Sequence, residues 1–250
     1  MSTPDADLVQ RLHDLRDRVG AAAIAAGRRP EDVEILLATK TQPAATIAAA
    51  VAAGFTLIGE NRVQEVTGKA DELAELLPGT QLRRHFIGHL QSNKINQVVP
   101  LVDCIESVDS AELATRLARR VAADGRRLDV LAQVNVSGED TKAGVPPEQV
   151  FELVEAIAAH DALHLRGLMT IGLNSPDAGA VGAGYRLLAS LRDEICALSG
   201  GSRGGPGTER VLPVLSMGMS NDFELAIAAG ATEVRIGSAA FGARPPAGDR

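Results

Sequence analysis

Short apolar runs alternate with segments of helical periodicity along most of the chain. The apolar runs predict strands at Val33–Ala38, Phe55–Ile58, His85–Ile87, Val102–Ile105, Asp129–Val134, Leu163–Gly167, Val211–Leu215 and Glu233–Ile236. Segments with apolar residues three and four apart predict helices at Ala45–Ala53, Arg62–Leu77, Ser92–Val99, Ser110–Ala123, Pro147–His160, Ala178–Leu198 and Asn221–Ala229. Strands that alternate with helices in this way indicate an α/β fold with a parallel sheet.

Eight such strands in 250 residues favour a closed TIM-type (β/α)8 barrel. An open doubly wound sheet is the alternative, because counting elements does not show closure. A further helix, from about Asp5 to Ala26, precedes the first strand and is expected to cover the gap left after the eighth. We expect one domain over residues 1–250, with a core at about 30–243. The Gly-rich stretch at 199–210 predicts a flexible loop, and residues 244–250 predict a frayed tail.

Composition narrows the possible functions. The chain is 45% hydrophobic but only 2% aromatic, so its core must be built from Ala, Val, Leu and Ile. A net charge of −7 argues against a broad nucleic-acid-binding face. No apolar window is long enough to span a bilayer, and Met1–Asp5 does not begin a secretory signal. Cys104 and Cys196 are expected to be buried free thiols in a reducing compartment, so we predict a cytoplasmic protein. Neither they nor the Asp, Glu and His residues have metal-ligand spacing, so we predict no metal site.

The chemistry is predicted where strands end. Lys40 follows the first strand, and two Gly/Ser-rich turns, Ser216–Ser220 and Gly237–Ala240, follow the seventh and eighth. In a parallel barrel the last two turns commonly bind phosphate, and the first strand lies beside the eighth. A lysine amine attacks an aldehyde only in its neutral form, which a partly desolvated site favours. This arrangement predicts a phosphorylated carbonyl compound held as an imine; a solvated lysine and ordinary short turns are the alternative.

Arg235 and two histidines are further candidates. Arg235 lies in the eighth strand and points either into the barrel mouth or outward to the helices. Facing inward, its permanently charged guanidinium would donate to a pyridine nitrogen and discourage protonation of that nitrogen. His85 and His89 flank the end of the third strand, where a general base could lie. We favour structural roles for both, with His85 capping or packed in the layer and His89 bonded to a loop carbonyl.

Five segments carry a resemblance to a known family. They are Val33–Pro43, Ile58–Glu65, His85–Lys94, Leu215–Ser220 and Val234–Gly242. Together they resemble the pyridoxal phosphate homeostasis protein family, over about residues 30 to 243. The family is similar in fold to the barrel domain of bacterial alanine racemases.

The resemblance implies pyridoxal 5′-phosphate (PLP) as cofactor, bound as a covalent aldimine on Lys40. It implies contacts at Ser216, Gly237 and Ser238 with the phosphate, at Arg235 with the pyridine nitrogen, and at Asn61 and Met217 in the pocket wall. Lys142 matches a family lysine near the mouth and is a candidate for secondary cofactor transfer.

Two functions remain to be separated. One is a protein of vitamin B6 homeostasis that buffers PLP or delivers it to apo-enzymes. The other is a PLP-dependent amino-acid racemase, which needs an acid/base group on each face of the substrate. Racemases of this fold take the second base, a tyrosine, from another domain of a partner subunit. Here the sole tyrosine, Tyr185, is predicted in a helix away from the strand ends. We therefore favour a monomeric carrier with negligible racemase activity; a Schiff-base aldolase is a third possibility.

Overall fold

The computed structural model describes residues 3–139, 141–199 and 211–242, and in these the strands form one closed parallel barrel. The strands are β1 Glu34–Ala38, β2 Leu57–Glu60, β3 Arg83–Phe86, β4 Cys104–Val108, β5 Leu128–Gln133, β6 Leu163–Met169, β7 Val214–Met219 and β8 Glu233–Ile236. Strand β1 pairs with both β2 and β8, with Leu37 opposite Ile58 and Leu36 opposite Arg235. The sheet is therefore closed, as predicted, and is not the open alternative.

Helices cover the outside of the barrel. They are α1 Thr3–Ala25, α2 Ala44–Ala52, α3 Val63–Leu76, α4 Ile95–Val98, α5 Ala111–Ala123, α6 Val150–Ala158, α7 Ala178–Ser199, α8 Phe223–Ala228 and α9 Ser238–Phe241. Single 3₁₀ turns lie at Pro30–Asp32, Ser92–Lys94, Val99–Leu101 and Pro147–Gln149. Ser110 caps α5, since its hydroxyl accepts from the backbone N–H of Leu113.

The leading helix takes the position predicted for it. Buried leucines and a valine recur along one face of α1 at Leu8, Leu12, Leu15 and Val19. Arg11 Nε donates to the carbonyl of Ala240 in the four-residue helix α9, at 3.0 Å. Helix α1 thus packs where a full helix after β8 would otherwise be needed.

Side chains alternate along each strand, so that successive residues face either the helices outside the sheet or the inside of the barrel. Outward side chains such as Leu37, Ile58 and Val234 join the large aliphatic core between sheet and helices. Inward side chains form smaller clusters within the barrel, Leu36, Ala38, Leu57 and Ile87 in one and Cys104, Leu131 and Met169 in the other. The barrel also encloses charged groups, among them Glu106 and Arg235. The inward orientation of Arg235 follows from its place between Val234 and Ile236, which both face the helices.

Most differences from the predicted elements are shifts of strand ends. Strand β7 begins three residues later than predicted and continues to Met219, and β2 continues to Glu60. The predicted loop at 199–210 and tail at 244–250 lie outside the described residues, apart from Ser199, which ends α7. Among the described helices none has the length and apolar character needed to cross a membrane.

Candidate functional site

A cavity of about 1400 Å³ opens at the carboxyl ends of the strands. Its wall includes five of the predicted site residues, Lys40, Asn61, Arg235, Gly237 and Ser238, together with Lys142. Ser216 and Met217 are not among the residues that line it. The topology thus brings the first strand exit and the last two turns together, as expected for neighbouring strands of a closed barrel.

A buried ion pair on the helix side of the sheet holds the backbone that precedes Lys40. Glu60 faces the helix layer, and its Oε1 accepts from Thr39 Oγ1 at 2.7 Å and from Lys69 Nζ at 2.8 Å. Lys69 Nζ also donates to the Thr39 carbonyl at 2.8 Å. Burial raises the pKa of Glu60 to about 7, although Lys69 and Thr39 both act to lower it. Glu60 in β2 and Lys69 in α3 therefore fix Thr39, which lies between the end of β1 and Lys40.

The residue after Lys40 is held as well. Thr41 has a φ of 66°, unusual for a β-branched residue, and its N–H donates to Glu65 Oε1 at 3.1 Å. A strained backbone next to a reactive side chain is a common property of functional sites. We call Thr39, Thr41, Glu60, Glu65 and Lys69 the clamp.

The two lysines of the cavity differ in what holds their amines. Lys40 takes part in none of the ion pairs or side-chain hydrogen bonds found in the described part of the chain. Lys142 Nζ donates to Glu139 Oε1 and to the Gly172 carbonyl, each at 2.7 Å. Of the two lysines, Lys40 therefore has the unpaired amine.

The seventh strand places Ser216 differently from the prediction. Because β7 continues to Met219, Ser216 lies within the strand and not in the turn, and it is fully buried. Its hydroxyl donates to Glu106 Oε2 at 2.6 Å and accepts from Arg235 Nη1 at 2.8 Å. Met217 is also fully buried and points into the core between sheet and helices. Neither side chain is directed into the cavity.

Ser220 is the hydroxyl that the turn presents to the cavity, and sequence reasoning did not single it out. It lines the wall, and its Oγ accepts from the backbone N–H groups of Gly237 at 3.3 Å and Ala239 at 3.2 Å. Gly218, near the end of β7, has a φ of 90°, and a Cβ there would lie 2.5 Å from Ala226 Cβ in α8. Small residues thus let α8 approach the end of β7 and bring both final turns together.

Arg235 and Asn61 present polar groups to the cavity. The Arg235 guanidinium donates to Ser216 and, through Nη2, to the Thr170 carbonyl at 2.6 Å. Asn61 Oδ1 is buried without a hydrogen-bond partner. Close packing fixes the Asn61 backbone, since a Cβ on Gly88 would lie 2.0 Å from its carbonyl oxygen. An unpaired buried acceptor in a cavity wall is the kind of group that a ligand satisfies.

Tyr185 lies closer to the strand ends than predicted. Its ring is fully buried in α7, but a Cβ on Gly172, in the cavity wall, would be 2.8 Å from its hydroxyl. Burial, with the nearby charge of Asp222, raises the pKa of Tyr185 well above its usual value. The prediction missed this proximity because helix rotation cannot be read from the sequence. Tyr185 itself is not part of the cavity wall.

The histidines have carboxylate partners. His85 points into the barrel, with Nδ1 2.6 Å from Glu106 Oε1, and so does not pack against the helices. His89 is exposed, and its Nδ1 lies 3.4 Å from Asp109 Oδ2 in place of the predicted loop carbonyl. Neither residue belongs to the cavity wall.

Comparisons with known proteins agree with this geometry. A family model for the alanine racemase N-terminal domain matches residues 22–245. The pyridoxal phosphate homeostasis protein of Escherichia coli K12 is 41% identical over 95% of this chain and 97% of its own. PipY of Synechococcus elongatus, solved with PLP bound, is 33% identical, with a TM-score of 0.78 over 94% of this chain and 100% of its own.

A more distant structure shares the fold alone. Alanine racemase of Clostridium difficile is 16% identical, with a TM-score of 0.66, and this chain spans 58% of its length. Identity to the homeostasis protein of Escherichia coli, 41% over nearly the whole of both chains, is far higher than this 16%. On these matches, the chain belongs to the pyridoxal phosphate homeostasis protein family.

Proposed function

We propose that this protein binds PLP through Lys40 and buffers or delivers it in vitamin B6 homeostasis, without strong catalytic turnover. The family of its relatives and the PLP in the related PipY structure support this function. The observation that carries it is a cavity in which an unpaired lysine faces an arginine and two Gly/Ser turns. PLP would supply an aldehyde, a pyridine ring and a phosphate to these groups.

The residues present fit that set of groups. Lys40 would condense with the aldehyde, so that C=N replaces C=O and one water leaves. Arg235 retains donors beyond the two bonded to Ser216 and Thr170, since a guanidinium has five N–H groups. These donors suit a pyridine nitrogen. The buried, unpaired Asn61 Oδ1 suits a donor on the bound molecule.

For the phosphate we propose Gly237, Ser238 and Ser220, the last in place of Ser216. Ser220 and Ser238 are both in the cavity wall, and the Gly237 N–H lies beside Ser220 Oγ at 3.3 Å. A Cβ on Gly237 would extend toward Ala38, another wall residue, 3.6 Å from its Cβ, and would narrow the space for an anion. The Ser216 hydroxyl is already bonded on both sides.

The carrier function is favoured over racemisation by the state of the second possible base. Tyr185 is buried, and its raised pKa makes the basic phenolate form scarce. A permanently charged Arg235 at the pyridine nitrogen would keep that nitrogen unprotonated and the ring a weak electron sink. The open cavity, with Lys142 in its wall, is compatible with passage of PLP to an apo-enzyme. We further propose a cytoplasmic monomer.

We also propose that residues 1–250 form a single PLP-binding domain. All the described strands belong to one barrel, and α1 packs on its last turn through Arg11. Addition of PLP is then expected to move one cooperative unfolding transition as a whole. Two transitions, only one of which responds to PLP, would contradict this.

The function is tested by titrating the apo-protein with PLP, following near-visible absorbance, and reducing with borohydride. Peptide mapping of the four lysines in the sequence is expected to place the phosphopyridoxyl group on Lys40. The loaded protein should then reactivate an apo PLP enzyme and racemise amino acids negligibly. Racemase turnover comparable with dedicated enzymes would overturn the carrier proposal.

A further inference from the structure

A chain of hydrogen bonds crosses the barrel interior and ends at Arg235. His85 Nδ1 lies 2.6 Å from Glu106 Oε1, and Ser216 Oγ donates to Glu106 Oε2 at 2.6 Å. Arg235 Nη1 in turn donates to Ser216 Oγ at 2.8 Å. The four side chains come from β3, β4, β7 and β8, and Glu106 and Ser216 are fully buried. Such a network is costly unless its members satisfy one another, as these do.

The same region contains a set of metal-ligating groups. Ligand atoms of His85, Glu106 and Glu233 all lie within 4.8 Å of one another. Two ligands about 2.1 Å from a tetrahedral ion would be roughly 3.4 Å apart. The 2.6 Å between His85 Nδ1 and Glu106 Oε1 is the length of a charge-assisted hydrogen bond. These two ligand atoms are hydrogen-bonded to each other, so we interpret His85, Glu106, Ser216 and Arg235 as a hydrogen-bonded array and not as a metal site.

The charges in the array are consistent with that assignment. Burial tends to raise the pKa of Glu106, but hydrogen bonds from His85 and Ser216 and the charge of Arg235 outweigh it, and the net shift is downward. Burial tends to lower the pKa of His85, and contact with Glu106 more than offsets it. The charged form of Glu106 is therefore favoured at the centre, between His85 on one side and Ser216 and Arg235 on the other.

The serine has a geometric role that few side chains could fill. Its hydroxyl accepts from Arg235 and donates to Glu106 at the same time, which a single hydroxyl can do. With Nη1 held in this way and Nη2 held by the Thr170 carbonyl, two ends of the guanidinium are fixed at the cavity wall. Rotation of Arg235 away from the cavity would break both contacts.

We propose that Glu106 and Ser216 are positioning residues for Arg235: they orient its guanidinium toward the ring nitrogen of the bound cofactor. This inference rests on the proposed PLP function. It gives Ser216 a role through the arginine, distinct from the phosphate contact expected from the sequence. It also gives Glu106, which sequence reasoning did not single out, a part in recognition of the ring.

The test compares PLP with 1-deazapyridoxal phosphate, in which C–H replaces the ring nitrogen. Both carry an aldehyde and a phosphate, and their intrinsic difference in aldehyde reactivity is the same for every variant, so a change in the affinity ratio between variants reports a group that senses the nitrogen. The full-length protein is expected to prefer PLP by about tenfold, the value of one oriented hydrogen bond. Ser216→Ala and Glu106→Gln should reduce this preference toward equal affinity. Damage to the fold alone would weaken both ligands alike.

Controls keep the outcomes separate. Asp129→Asn alters another histidine–carboxylate pair, His164 with Asp129 at 2.9 Å, outside the cavity wall, and should preserve the preference. Ser220→Ala should weaken binding of PLP relative to pyridoxal, which lacks phosphate, and leave the deaza ratio unchanged. If Glu106→Gln does not fold, Ser216→Ala alone decides. An unchanged ratio in the folded variants, or no preference in the unmodified protein, overturns the inference, whereas failure to bind either ligand overturns the proposed function.

Discussion

Lys40 and Lys142 line the same cavity but are held in opposite ways. Around Lys40 the hydrogen bonds fix the neighbouring backbone, through Lys69 at Thr39 and Glu65 at Thr41, and the amine has no partner among the described residues. At Lys142 the amine itself is bound, to Glu139 and to the Gly172 carbonyl. A fixed backbone with a free amine suits covalent capture of an aldehyde, whereas a bound ammonium is poorly nucleophilic.

The difference shows that location in a cavity does not by itself identify a nucleophile. Both lysines follow barrel strands, Lys40 directly after β1 and Lys142 in the longer loop after β5. What separates them is the arrangement of carboxylates. Glu60 and Glu65 contact the backbone or side chains of the clamp, while Glu139 contacts the amine. The following experiments act on each side of this comparison.

Substitution of each lysine in turn should have the largest effect on capture of the aldehyde. Lys40→Ala is expected to abolish the near-visible band that PLP gives and the borohydride-stable label, because no other amine in the described cavity wall is unpaired. Lys142→Ala should retain both. Absorbance spectra and peptide mapping make the measurement, and an unchanged spectrum in Lys40→Ala would reverse the assignment.

Removal of the clamp should come next in size. Lys69→Met leaves Glu60 buried without its cation and the Thr39 carbonyl without its donor. Loss of one member of a buried pair is expected to cost about 3 kcal/mol of unfolding free energy. PLP affinity should fall in addition, since the strand end that carries Lys40 is released.

Lys94→Met provides the matched control for the clamp, because Lys94 lies outside both the cavity wall and the clamp. Denaturant unfolding and PLP titration of both variants would measure the effect. Equal stability and affinity in Lys69→Met and Lys94→Met would show that the clamp does not act on Lys40.

The sequence was sufficient to predict that Lys40 and the two Gly/Ser turns lie around one cavity, and insufficient to predict the interior of the barrel. Lys40 and the Gly/Ser turns could be predicted because strand exits of a parallel barrel meet on one face. Ser216 and Ser220 could not be told apart, since the end of β7, at Met219, depends on its pairing with β8, whose register shifts between Ser216 and Met219. The interior array could not be predicted either. Its members come from strands far apart in sequence, and their heights depend on the stagger of the closed sheet.

Glu233, a buried carboxyl at the first position of β8, should affect stability and leave capture of the aldehyde unchanged. Burial, and then the charge of Glu106, raise the pKa of Glu233 from 4.5 to about 8. The folded protein therefore binds a proton that the unfolded chain releases between these values. The stability contributed by the neutral carboxyl is complete below pH 4.5 and is lost as the pH rises toward 8, with a slope of at most about 1.4 kcal/mol per pH unit.

Glu233→Gln should remove that loss. The unfolding free energy of the variant minus that of the parent is expected to increase from pH 5 to about pH 8 and to level off above it. Lys40 should remain the labelled lysine, because Glu233 contacts neither amine. A difference that is constant with pH would show that Glu233 titrates normally in the folded protein.

Release of Lys142 should give the smallest effect and the finest test of the comparison. Glu139→Gln removes the carboxylate from a lysine side chain that is 18% exposed, beside a glutamate that is 41% exposed. Because partly exposed ion pairs contribute about 0.5 kcal/mol, we expect only a roughly twofold rise in the fraction of label on Lys142. The Gly172 carbonyl still accepts from its amine. Quantitative peptide mapping after borohydride would detect the change, with Glu148→Gln on the surface as the control. If label moved largely to Lys142, the carboxylate alone, and not the clamp around Lys40, would determine which lysine captures the aldehyde.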